Sequence, residues 1–166
     1  GPIQFDGFTQ TYVSGGSVLR LTGPMSSTGA GDFTTIGQGI LELGGPNSYA
    51  GHTRLSSGGT LRLLGSHRVP DGSIVILAPG STLDLNGFSE AIAGLKDGGT
   101  GKVLLGGGTL TVAAPASSAT EFGGVISGSG GLVKEGDGTF GLTGTQSYTG
   151  PTAVKAGVMT LNGTLT

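Results

Sequence analysis

Ten carboxylates and two histidines are the side chains best suited to acid–base or metal chemistry in this sequence, and cysteine is absent. Cleavage of a glycosidic bond needs two acids about 5–10 Å apart. Most of the acids lie in Gly-rich turns, where Asp is favoured because its side chain bonds the local backbone. Asp84, Glu135 and Asp137 are the three acids to substitute in a test for such a pair, although Glu135 and Asp137 have Ile36 and Gln38 as counterparts in an earlier, similar stretch. His67 and Asp71 with any neighbouring Ser permit a nucleophilic triad on paper, but no G-x-S-x-G elbow is present. His52 occupies a turn position that reads Pro151 in the second stretch. With two His and no Cys, a transition-metal centre is not expected, and neither an EF-hand loop nor the Gly/Asp nonapeptide for calcium occurs. The expectation is no catalytic, cofactor or metal residue.

Other motif-like stretches have structural readings. Lys96-Asp-Gly-Gly-Thr-Gly-Lys-Val103 resembles a phosphate-binding loop but lacks its first Gly and its final Ser/Thr, so a turn is expected. Tyr49 and Tyr148 stand at matching places and are expected to pack over a corner. Asn162-Gly-Thr164 fits a glycosylation acceptor only formally. An adhesive patch, if one exists, is to be sought outside the repeat pattern around Phe88, Leu104 or Phe122.

Any such residue must be held by elements that the composition constrains. Gly contributes 37 of 166 residues, about three times its usual share. Hydrophobic residues make up 35%, in short, regularly spaced clusters, which is unlike a disordered linker. No Gly-X-Y period runs through the chain, so collagen is excluded. The net charge is −2 and the eight basic residues are scattered, so neither nucleic acid nor anionic lipid is an expected partner. No apolar run approaches the ~20 residues that span a bilayer, so no membrane insertion by this segment is expected. Gly1-Pro2 matches the scar of a cleaved expression tag.

Pairs of the form L-x-L recur: Leu19/Leu21, Leu41/Leu43, Leu61/Leu63, Leu83/Leu85 and Val103/Leu105, followed less regularly by Val125/Ile126, Phe140/Leu142 and Thr160/Leu161. The first five are spaced by 22, 20, 22 and 20 residues. Alternation is a strand signal, and a fixed period near 20 signals a solenoid. The intervening stretches are rich in Gly, Ser and Thr and carry no 3.6-residue apolar stripe, which favours a β-helix over leucine-rich repeats. Gly15-Gly16, Gly44-Gly45, Gly58-Gly59, Gly98-Gly99 and Gly123-Gly124 read as corners, as do Asp71-Gly72 and Asn86-Gly87. The sequence predicts an all-β, single-stranded parallel β-helix of about eight coils, roughly 20 residues each, with almost no helix. At ~4.8 Å per coil, the rod is about 35–40 Å tall. Residues 3–16 are expected to form an N-terminal cap or edge strand, and 17–166 the repeat segment. Between the paired Leu lie Arg20, Glu42, Arg62 and Asp84. Stacked in register they alternate in sign, a structural ladder that ends at Leu104.

Gly37-Gln-Gly-Ile-Leu-Glu-Leu-Gly-Gly-Pro-Asn-Ser-Tyr-Ala-Gly51 is repeated as Gly136-Asp-Gly-Thr-Phe-Gly-Leu-Thr-Gly-Thr-Gln-Ser-Tyr-Thr-Gly150. The second copy is preceded by Gly128-Ser-Gly-Gly-Leu-Val-Lys-Glu135 and followed by Thr152-Ala-Val-Lys-Ala-Gly157, giving clear copies at 37–65 and 128–163. These motifs resemble the autotransporter-associated β-strand repeat, also called the passenger-associated transport repeat. The sequence departs from the usual pattern at Gln146, where Asn is common, and at Gly141, where Thr is common. The resemblance implies a right-handed coil within the passenger of a type V secreted protein, exported across the bacterial outer membrane to the cell surface. It also implies a non-catalytic stalk or spacer that assists export. The alternatives are an adhesin surface for a glycan or protein, and a fragment of a carbohydrate-active enzyme. The expected partners are neighbouring coils of the parent protein or end-to-end self-association.

Overall fold

The computed structural model describes residues 1–166 and contains strands, turns and no helix. Each coil crosses three faces. The first coil comprises β1 (Ile3–Phe5), β2 (Thr9–Tyr12) and β3 (Val18–Leu21). The second adds β4 (Met25–Ser27), β5 (Phe33–Ile36) and β6 (Ile40–Leu43). The third and fourth have two strands each: β7 (Thr53–Leu55) with β8 (Thr60–Leu63), then β9 (Ile74–Leu77) with β10 (Thr82–Asp84). The fifth contains β11 (Glu90–Ile92), β12 (Gly94–Asp97) and β13 (Lys102–Leu104). The sixth contains β14 (Leu110–Ala113), β15 (Ala119–Phe122) and β16 (Val125–Gly128). The seventh has β17 (Leu132–Glu135), β18 (Thr139–Leu142) and β19 (Thr145–Tyr148). The eighth ends the chain with β20 (Thr152–Val154), β21 (Val158–Leu161) and β22 (Thr164–Leu165).

All pairings are parallel, each strand bonding to its counterpart one coil away. Residues 3–12 therefore enter the coil as ordinary rungs, β1 on β4 and β2 on β5. The third face is a continuous eight-stranded sheet from β3 to β22. The second face breaks between β12 and β15, where the Thr120 methyl presses on Gly94 so closely that a Cβ there would sit 2.7 Å from it. The first face lacks a strand in the third and fourth coils, around Asn47–Ser48 and Arg68. Ser48 N–H still donates to Met25 O at 2.8 Å, so the chain keeps its place there.

Because the strand period is two, one residue of each L-x-L pair and its partner two places on both face inward. On the third face Leu41, Leu61, Leu83, Val103 and Ile126 lie in register and are at most 1% exposed. Leu43, Leu63, Leu85 and Leu105 are equally buried on the adjoining row. Each such side chain stabilises the coil by about 1.5–3 kcal/mol relative to exposure. The column frays at the first coil, where Leu19 and Leu21 are half-buried.

The irregular later pairs follow a different course. Phe140 and Leu142 point inward from β18, on the second face, above Thr120 and Phe122 of β15. Leu161 is on that face too, in the end rung, where it is exposed. The third-face column instead continues from Ile126 to Gln146. Val125 points outward and only Ile126 enters the core. The reason is that inward alternation occurs on all three faces, so spacing identifies strands without saying which face they occupy. Gln146 is fully buried, and its amide replaces backbone partners: Oε1 accepts from Ile126 N–H at 2.9 Å and Nε2 donates to Gly124 O at 3.1 Å.

The corners use glycine for two distinct reasons. Gly58 has φ +76° and a Cβ there would meet only Pro79 O, in ordinary contact at 4.0 Å, so its role is to supply a left-handed turn. Gly45 has no such conformation, but a Cβ there would lie 2.2 Å from Gly23 O, so it permits two coils to approach.

Candidate functional site

The third face carries the charged ladder expected from the sequence. Arg20, Glu42, Arg62 and Asp84 are in register, between the inward leucines. Arg20 Nε donates to Glu42 Oε2 at 2.7 Å and Arg62 Nε to Asp84 Oδ2 at 2.8 Å, with Arg62 Nη1 3.7 Å from Glu42 Oε1. The Asp84 partner holds the Arg62 guanidinium protonated even more firmly than usual. Two cations and two anions cancel, so the stripe is self-neutralising. A similar pair crosses the second face, where Arg54 Nε meets Asp32 Oδ2. Burial works against ionisation of Asp32, but Arg54 and the His52 N–H outweigh it and the carboxyl titrates below its ordinary value.

These contacts occupy several of the residues that chemistry would need. Asp84 is held by Arg62, and Glu135 Oε1 receives Lys155 Nζ at 2.8 Å. The surface has no enclosed pocket. Lys96–Val103 is the end of β12, a turn and the start of β13. There Asp97 ties the backbone, accepting from Gly101 N–H and Gly123 N–H at 2.8 Å each. Of the proposed patch residues, Leu104 and Phe88 are exposed, whereas Phe122 is fully buried, because it alternates inward with Thr120 on β15. Tyr49 and Tyr148 are both buried. Each hydroxyl shares a 2.6 Å bond with the threonine four residues on, Thr53 and Thr152. Tyr49 also packs on Phe5 and Phe33, with ring centroids 6.0 and 5.6 Å away. Burial raises the Tyr49 phenol far above its ordinary value.

The densest gathering of titratable groups lies on the first face where no strand forms. His67 Nδ1 is 3.4 Å from Asp71 Oδ1, and one ligand atom each of His67, Asp71 and Glu90 lie within 4.8 Å of one another. Glu90 starts β11 and alternates inward with Ile92, so its carboxylate is 1% exposed. Its Oε2 accepts from Arg68 N–H at 2.8 Å, while Asn47 Nδ2 donates to Arg68 O at 2.7 Å. Two side chains thus supply the partners that a missing strand leaves unmade. Burial pushes the Glu90 carboxyl up to about 7, against the pull of the backbone donors and His67. Oε1 has no partner. The sequence pairing of His67 with Asp71 omits Glu90; its signal was an acid at the inward position of an alternating strand.

A second inward charge is Lys134 of β17, fully buried. Its ammonium donates to Glu135 O and Gly136 O at 2.6 Å and to Ala156 O at 3.2 Å, clasping a corner to the next coil.

The passenger-associated-transport-repeat family matches residues 33–63 and 132–161. The chain is similar to the adhesin BmaC autotransporter of Brucella suis biovar 1 (strain 1330), 37% identical over 176 aligned residues. That alignment covers 96% of this chain and 5% of the relative, so the chain spans a small part of that protein's length. No solved structure matches. The two family segments coincide with coils built from inward Leu and Phe rungs and closed by the Tyr–Thr contacts, so the chain is a β-helical segment that carries two passenger-associated transport repeats.

Proposed function

We propose that this segment is a non-catalytic stalk of a cell-surface passenger, exported across the outer membrane and assisting that export by folding outside. The observation that carries the reading is the third face, an unbroken eight-rung ladder over an apolar column in register from Leu41 to Ile126. Each coil buries its inward row against its neighbour alone, so coils add one at a time as chain emerges. Folding of each one opposes return of the chain. Both ends present unpaired rungs with exposed apolar residues, Tyr12 and Val18 at one end and Val158 and Leu165 at the other. These suit neighbouring coils of a longer passenger, or a second copy when such coils are absent.

The test is deletion within a displayed passenger. Removing 83–102 brings Val103 to the place of Leu83 and takes out one whole turn, so display at the cell surface should persist. Removing 83–92 instead puts second- and third-face residues out of phase and should abolish display. Equal display of both would refute the stalk reading. A second reading, an adhesive surface, is favoured by the name of the adhesin relative and by exposed Leu104 and Phe88, where the charge ladder ends. Leu104→Asp with unchanged display but lost cell adherence would support it.

A further inference from the structure

We propose that His67, Asp71 and Glu90 form a divalent-metal site, of the kind zinc occupies, in the strandless stretch of the first face. Three observations meet there. The three ligand atoms already lie within 4.8 Å of one another. The His67 Nδ1 to Asp71 Oδ1 separation of 3.4 Å is long for a hydrogen bond, whose N···O distance centres near ~2.9 Å. It equals the edge of a tetrahedron whose ligands sit about 2.0–2.1 Å from zinc. Independently, Glu90 is 1% exposed and its Oε1 has no partner, one of four such buried side-chain atoms in the chain. An orphaned buried carboxylate oxygen is costly, and a cation removes that cost.

The donor set is one imidazole nitrogen and carboxylate oxygen from two residues, which suits a borderline divalent ion. Glu90 is anchored through Oε2 to Arg68 N–H, so it approaches from the core side as a fixed ligand. His67 and Asp71 have side chains 64% and 69% exposed and sit on a turn, so they can close the remaining distance. The solvent side leaves a fourth position for water. Such a site would pin the turn between β8 and β9 to β11 in the next coil, where the main-chain ladder is missing.

The experiment is calorimetric titration of ZnCl2 into the full chain at pH 7.5 in a non-chelating buffer. One equivalent is expected to bind, accompanied by a rise in melting temperature. His67→Ala and Asp71→Asn should each weaken binding by about tenfold or more, as should Glu90→Gln. His52→Ala, outside the cluster, should bind as the parent does. Should Glu90→Gln fail to fold, the two turn variants still decide. No stoichiometric zinc, or equal affinity in His67→Ala and the parent, overturns the proposal.

Discussion

Tyr49 and Tyr148 make the same 2.6 Å hydroxyl contact to the threonine four residues on, yet they stand over different corners of the solenoid. Tyr49 follows the strandless stretch of the first face and leads into β7 on the second. Tyr148 ends β19 on the third face and leads into β20 on the first. The repeated sequence is therefore mounted a third of a turn apart in its two copies, because the offset from Gly37 to Gly136 is not a whole number of coils.

If the motif is a self-contained clasp, its energetics should not depend on the face it serves. Tyr49→Phe and Tyr148→Phe should each lose about 1 kcal/mol, the usual net worth of one hydrogen bond. At Tyr49 the partner Thr53 also bonds buried Ser73 at 2.9 Å, so Thr53 keeps a partner when the phenol is removed and the two losses should be similar. Urea denaturation of both variants and the double variant checks this, with the two effects adding. A cost at only one site would show that the surroundings, not the motif, supply the stability.

Glycines at corners should separate by mechanism. Gly45→Ala places a methyl 2.2 Å from Gly23 O and forces two coils apart, so a loss of about 2 kcal/mol or more is expected. Gly72→Ala has nothing within 4 Å and no positive φ, and should be neutral or stabilise by about 0.4–1 kcal/mol through the unfolded chain. Thermal unfolding of the pair distinguishes them.

Glu90 predicts a pH dependence with a defined sign. Burial raises its folded pKa to about 7 from the ordinary 4.5, so the folded chain binds the extra proton between those values. Stability therefore falls as pH rises from about 4.5 to 7 and the loss is complete above that window, on the order of 3 kcal/mol. The groups facing the carboxyl are His67, Asp71, the N–H groups of Arg68, Ala91 and Val69, and Tyr49. Glu90→Gln keeps an acceptor for Arg68 and should flatten the profile in metal-free buffer. A parent whose denaturation midpoint is constant from pH 4.5 to 8 would contradict this.

Lys134 offers a complementary case. Lys134→Met preserves the stem's packing but leaves the carbonyls of Glu135, Gly136 and Ala156 without their donor. A loss of about 2 kcal/mol is expected, and equilibrium denaturation reads it. A neutral outcome would mean that water serves those carbonyls equally well.

Much of this architecture was legible in the residues themselves. The period near 20, the alternation of Leu41, Glu42 and Leu43, and the sign order of Arg20, Glu42, Arg62 and Asp84 define parallel rungs and which side faces in. Alternation is a local property of an extended backbone, so a few consecutive residues suffice to reveal it. Face assignment is not local. It depends on the summed lengths of all preceding corners, so Phe140 and Leu142, which follow the regular pairs less regularly in sequence, lie on the second face while Gln146 takes the rung in the leucine column. Only the folded coil brings Glu90 beneath His67 and Asp71, because that meeting requires a strand to be absent from one turn and a side chain of the next to fill its place.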